Sequence, residues 1–159
     1  MDAQLERQMR HLVDRAAIVD VIIGFANAFD AQDWPRLRSF LADELHTDYS
    51  QFRQEPPGLV RADAYVEARR LGLAGVRTVH LSTNHQVSIA GDTAACVSAY
   101  RIYRLAPHLP AGENRLDSAG NYEHALARTS AGWRLTVIRQ TVTIQEGNPL
   151  VHGGLRPGA

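Results

Sequence analysis

The sequence predicts an α+β fold in which helices come first and a curved, mainly antiparallel sheet follows. Three observations carry this: apolar residues at helical spacing as far as Ala26, a change to period two from Leu45, and long β-rich segments separated by turns after Gly75. Helices laid over one face of such a sheet leave a space between the layers. Side chains that point into that space are the candidate site.

The first helix is expected over about residues 2–29. Its apolar residues Leu5, Met9, Leu12, Ala16, Val19, Ile23 and Ala26 fall at alternating steps of four and three, and Glu6, Arg7, Arg10, Asp14, Arg15 and Asp20 take the wet side. One further step of four reaches Asp30. Two readings stand there. If the helix persists, a carboxylate ends the core-facing stripe and needs a partner or a shifted pKa. If it frays after Ala28, Asp30 is solvated.

Asp33 before Trp34 and Pro35 reads as an N-cap with proline in the first turn, opening a second helix with Trp34, Leu37, Phe40 and Leu41 inward. From Leu45 the alternation sets Leu45, Thr47, Tyr49 and Gln51 against His46, Asp48, Ser50 and Phe52, so Tyr49 shares a face with Leu45. Pro56, Pro57 and Gly58 mark a loop over 54–59, and a third helix is expected over about 62–73. Strands follow over 77–89 and 94–105 around a Gly91-Asp92 hairpin turn, with Thr78, His80 and Ser82 on one face and His85 on the opposite one. A long polar loop is expected over 106–119. Strands over 121–128 and 133–145 close the meander, and residues 146–159 are a tail rich in Gly and Pro.

With 159 residues and 45% hydrophobic content, the chain fits one globular domain, placed at residues 1–145. Lys plus Arg balance Asp plus Glu at 17 each, which argues against a nucleic-acid or anionic-membrane partner. One cysteine, Cys96, in a strand-like setting, excludes an intramolecular disulfide framework. The charged, helix-patterned N-terminus reads as neither a signal nor a transit peptide, so the expectation is a cytoplasmic protein with no membrane contact. His80 and His85 on opposite strand faces make a poor metal pair, and neither a metal nor another cofactor is expected.

Asp30, Tyr49 and His80 are each placed to point inward. A histidine alone on a strand face also reads as a hydrogen-bonded structural residue, and His80 gains a chemical role only if it meets Asp30. A carboxylate on one ring nitrogen fixes the tautomer, raises the imidazole pKa and leaves the other nitrogen for proton transfer. His124 shares a strand face with Tyr122 and lines the cavity or packs structurally. Arg139 is a solvated position or an anion contact, and His108 is a solvated loop residue or one that reaches over the pocket.

The run AFDAQDWPRLR, then TDYSQF, RTVHLSTN and a hairpin ending in GWRL, resembles the scytalone dehydratases within the SnoaL-like branch of the nuclear-transport-factor-two-like (NTF2-like, cystatin-like) superfamily, over about residues 13–144. The resemblance implies a cone-shaped α+β barrel with about three N-terminal helices over the concave face. It implies Asp30 and His80 as the proton-transfer pair for elimination of water, and Tyr49 as one of two tyrosines that activate the substrate carbonyl. Phe29 stands where the second tyrosine is expected, Arg104 falls near a second histidine, and Gly120 and Tyr122 fall near a serine and an asparagine. Scytalone itself is therefore not the expected substrate.

The combined expectation is a cofactor-free lyase of the dehydratase type acting in a mostly apolar pocket. Asp30, His80 and Tyr49 would be catalytic, and Phe29, Trp34, Tyr100, Arg104, Tyr122 and His124 would line the substrate. That substrate would be a small apolar cyclic or aromatic-precursor molecule, and the protein a homodimer or homotrimer joined through its sheet. Two other readings keep the fold: an isomerase or polyketide-cyclase-like enzyme with Asp30 as base, and a non-catalytic ligand-binding or assembly subunit.

Overall fold

The computed structural model describes residues 2–53 and 55–152. Helix α1 (Ala3–Asp30) is capped by Asp2, whose carboxylate accepts from the Gln4 N–H, and persists through Asp30. Helix α2 (Trp34–Ser39) follows, with the Asp33 cap and Pro35 in its first turn. Gly24 lets the two helices meet, because a Cβ there would lie 2.5 Å from the Phe40 ring.

The core-facing side of α1 differs from the one its spacing predicts. Ile18, Ile22, Phe25, Ala28 and Phe29 are buried, whereas Leu5, Met9 and Leu12 are 48%, 50% and 64% exposed and Ile23 is exposed as well. Residues 3–13 are exposed apart from the half-buried Glu6, so apolar spacing there reports no core. Farther along, the large side chains of Phe25 and Phe29 set the phase, since they bury the most apolar area. Asp30 follows Phe29 directly and so lies at the border of the true core face.

Strands β1 (Leu41–Asp48), β2 (Gly58–Arg61), β3 (Arg77–Ala90), β4 (Thr93–Leu105), β5 (Arg115–Thr129) and β6 (Gly132–Gly147) form one sheet in the order β2-β1-β6-β5-β4-β3. The β1–β6 pairing is parallel and the rest antiparallel. The sheet is curved but does not close into a barrel, since β2 and β3 remain its edges. Register shifts in the β3–β4 and β5–β6 ladders supply the bends. At Gly120 a Cβ would sit 2.0 Å from the Thr141 carbonyl oxygen, so that bulge requires glycine. Between the layers lie Leu37, Leu45, Ile102, Leu116, Leu126, Leu135 and Ile138, all fully buried and each contributing roughly 1.5–3 kcal/mol.

Four local departures from the sequence reading matter for the site. Strand β1 stops at Asp48, whose carboxylate accepts from the N–H and hydroxyl of Ser50 and starts a single turn, α3 (Ser50–Arg53). The expected loop over 54–59 yields its end to β2, which pairs with β1, and the expected loop over 106–119 ends at Asn114. A positive φ of 56° at Asn84 and the adjoining register shift turn His85 onto the face of Ser82, to which it is bonded at 2.9 Å, rather than away from it. Helix α4 (Ala62–Gly72) matches the expected third helix. A 3-10 turn, Pro149–Val151, brings the described part of the tail back onto the body, with Val151 and His152 buried. Residues 153–159 of the expected tail lie outside the described residues. No helix among the described residues is long and apolar enough to cross a membrane.

Candidate active site

The end of α1 meets the start of β3 through one carboxylate. Asp30 Oδ1 accepts from the Thr78 hydroxyl at 2.8 Å and lies 2.5 Å from His80 Nδ1, while Oδ2 accepts from the His80 backbone N–H at 2.8 Å. The two-residue repeat of the strand makes this possible, since Thr78 and His80 share a face. Burial pushes the Asp30 carboxyl up, but the His80 ring and N–H together with the Thr78 hydroxyl outweigh it and hold it below its ordinary value. Asp30 is an anion that accepts three hydrogen bonds, two on Oδ1 and one on Oδ2.

The ring of His80 is therefore fixed: Nδ1–H donates to Asp30, and Nε2 takes no hydrogen bond among the described residues. Burial lowers the imidazole pKa, Asp30 raises it and Arg104 lowers it, for a net fall below 6.5. The carboxylate alone would raise it, as the sequence reading expects. Desolvation wins because the imidazolium loses far more hydration on burial than the neutral ring does. At neutral pH His80 is a neutral base with its acceptor nitrogen free.

His80 borders two adjacent lobes, with Phe29 stacked on its ring at 5.3 Å. One lobe, about 360 Å³ of empty space including the open solvent at its mouth, is lined by the apolar side chains of Ile22, Phe25, Ala26 and Phe29 and by Tyr100, with Ser82 and His124 as polar members beside His80. The other, about 390 Å³ on the same measure, is lined by Tyr49, Phe52, Arg53, Arg69, Arg104 and His152 among others. Phe29, His80 and Tyr122 line both lobes. The expectation of a mostly apolar pocket thus describes one lobe; three arginines line the other.

Tyr49 follows β1 and turns inward, where its hydroxyl lies 2.7 Å from that of Tyr65 on α4. Burial pushes the Tyr49 and Tyr122 phenols up, so both stay neutral. Arg69, one helical turn after Tyr65, sits over both the Tyr49 and Tyr65 rings at 4.5 Å. Arg104 donates to the Ser118 hydroxyl at 3.0 Å and lies over the Phe52 ring at 4.7 Å, while Arg53 is 2.9 Å from His152 Nε2. Burial brings both Arg53 and Arg104 down to about 10.

The remaining sequence candidates fall as follows. Trp34, at the start of α2, packs edge-on against Phe29 at 6.3 Å and is not among the residues lining either lobe. Phe29, Tyr100, Arg104, Tyr122 and His124 do line the cavity. His124 stacks on Tyr122 at 5.2 Å with both ring nitrogens buried and unbonded, and burial lowers it to about 3. Arg139 lies outside, paired with Asp48 at 3.2 Å, and His108 lines an outer groove beside Asp30.

Tyr65, Arg53, Arg69 and His152 escape the sequence reading. The Tyr65–Arg69 spacing of one helical turn is a signal for a shared inward face. Arg53 turns inward only because α3 replaces a strand, and His152 lies in a segment with no periodicity. Among the described residues no group of three His, Cys, Asp or Glu side chains converges on one point.

Residues 10–139 match the model of a family described as the SnoaL-like domain. The chain is similar to the Kfla4162 protein from Kribbella flavida, 28% identical over 86% of this chain and 95% of that one, with a TM-score of 0.82. It also resembles a protein from Novosphingobium aromaticivorans provisionally named a scytalone dehydratase (14% identity, 94% and 97% coverage, TM-score 0.76). A hexachlorocyclohexane dehydrochlorinase, LinA type 2, is similar at 17% identity, 96% and 99% coverage and a TM-score of 0.75. The last two likenesses are of fold. No curated protein matches.

Proposed function

The chain belongs to the SnoaL-like domain family, and from that premise we propose that it is a cofactor-free lyase of the dehydratase type. The observation that carries this is the Asp30–His80 pair, with the free ring nitrogen on a residue that borders both lobes. His80 Nε2 removes a proton from the carbon beside a carbonyl. The C–H electrons form the C=C bond, the bond to the β-oxygen breaks, and the departing hydroxyl takes the proton from His80 to leave as water. Asp30 stabilises the imidazolium formed between the two transfers. Tyr49, which lines the arginine lobe and shares a hydrogen bond with Tyr65, donates to the carbonyl oxygen as charge builds on it.

Isomerisation or ring closure begun by the same proton abstraction is the second reading. The three hydrogen bonds on Asp30 favour His80 over Asp30 as the base in either case. A non-catalytic binding role is the third reading. Screening β-hydroxy carbonyl compounds for growth of conjugated-product absorbance, with wild type beside His80→Gln, separates them: elimination requires His80, and absence of turnover across the panel contradicts the lyase reading. We also propose that copies associate through the sheet, a reading supported by the exposed apolar side chains Val79, Leu81, Val97 and Ile144.

A further inference from the structure

We infer that the substrate carries a carboxylate, which Arg53, Arg69 and Arg104 hold in one lobe while an apolar body fills the other. This deepens the reading of the cavity as a substrate site and rests on it. The arginine lobe has three permanent cations, and among the described residues neither an aspartate nor a glutamate lines it. Its tyrosines are neutral. Of the acidic groups around it, Asp30 is held by Thr78 and His80, Glu55 is exposed, and Asp117, beside Arg104, pairs one oxygen with Arg115 at 3.5 Å while its other oxygen is buried and unbonded. Arg69 and Arg104 are only 6% and 4% exposed, so their charges have given up most of their water without gaining a carboxylate.

The hydrogen bonds point the same way. Each guanidinium presents several N–H donors in a rigid plane. Arg104 spends one on Ser118, Arg53 has one nitrogen on His152 while its Nε is buried and unbonded, and Arg69 presents its face to two tyrosine rings. Arg69 also directs a hydrogen bond to the Tyr65 side chain, and a planar carboxylate satisfies the remaining N–H edges two at a time. A merely structural role, packing on the tyrosine rings, accounts for Arg69 and in part for Arg53, which lies over the Tyr49 ring at 5.7 Å, but not for Arg104. The second lobe is mostly apolar, and His80 borders both, so an acid with a small cyclic body sets its middle carbons against Nε2.

The test is an NMR titration at pH 7 with cyclohexanecarboxylate and, separately, cyclohexanecarboxamide, reading the arginine Nε–H and His80 ring signals. The acid is expected to bind at least tenfold more tightly than its neutral amide. Arg69→Gln and Arg104→Gln should bring the acid to the level of the amide, with thermal melts confirming the fold, and His80→Gln should leave the preference intact. Equal binding of acid and amide by wild type overturns the inference whether or not the variants fold, as does a preference that survives in both arginine variants. Acid preference without any turnover would leave the carboxylate site standing and remove the lyase reading. Turnover of neutral compounds without acid preference would do the reverse.

Discussion

Two partly buried carboxylates of helix α1, Asp14 near its middle and Asp30 at its C-terminal end, are used differently. Asp14 accepts from both terminal nitrogens of Arg128 at 2.8 and 2.7 Å and from the Trp133 indole at 3.3 Å, with Arg128 also reaching Asp92 at 2.9 Å and lying over the Trp133 ring. Asp30 likewise takes three hydrogen bonds, but one donor is an imidazole. Both carboxyls sit below their ordinary value, Asp14 chiefly through the Arg128 bonds. What differs is the partner. Arginine never releases its proton at physiological pH, so Asp14 can only fasten the helix to the β5–β6 hairpin, whereas His80 can change its charge and keeps a second nitrogen free. A carboxylate's own environment therefore says less about its role than the chemistry of what it holds.

Exchanging the carboxylates for amides sharpens this contrast most. Asp30→Asn and His80→Gln are expected to lower kcat/KM for any compound the protein turns over by about 10²–10⁴-fold, while Asp14→Asn leaves it unchanged; steady-state rates on the three variants check this. Tyr49→Phe is expected to lower kcat by about 10²-fold with little change in KM, because its hydroxyl acts on charge that develops during reaction.

Acid separates the two sites in a second way. His80 and His124 both have folded pKa values below 6.5, the latter at about 3. A group depressed on folding is better protonated in the unfolded chain, so its stabilising contribution is complete above pH 6.5 and is lost as pH falls toward the folded value. Tm should therefore decline below pH 6.5, and His124→Phe, which keeps the ring stack on Tyr122, should make that decline shallower. The Asp14 contribution persists in that range and falls away only below about 3.8. The smallest effect is on fastening alone: Asp14→Ala should lower Tm by a few degrees and do so less in high salt, because the pair is partly exposed to water. Thermal melts across pH and salt measure both.

Much of this was legible in the chain and part was not. The order of helices and strands follows from local signals, such as the Asp33-Trp34-Pro35 cap, the Gly91-Asp92 turn and the period-two runs around them. The inward face of α1 does not, because Leu5, Met9 and Leu12 keep helical spacing on a part of the helix with no core beside it. Asp30 was reached along the wrong face; its meeting with His80 depends on the helix persisting one residue past Phe29. The arginine lobe was the least legible. Arg53 turns inward only after Asp48 ends β1 early, and His152 joins from the tail by way of a 3-10 turn, neither of which leaves a periodic trace.

The most direct test of the account is a titration of the His80 ring by NMR in wild type, Asp30→Asn and Asp14→Asn. The pairing predicts a wild-type midpoint below 6.5, a clearly lower one once the Asp30 charge is gone, and no change when Asp14 is substituted. A midpoint that stays put in Asp30→Asn would mean that the two groups are not coupled in solution, and would contradict the proton-transfer role given to them.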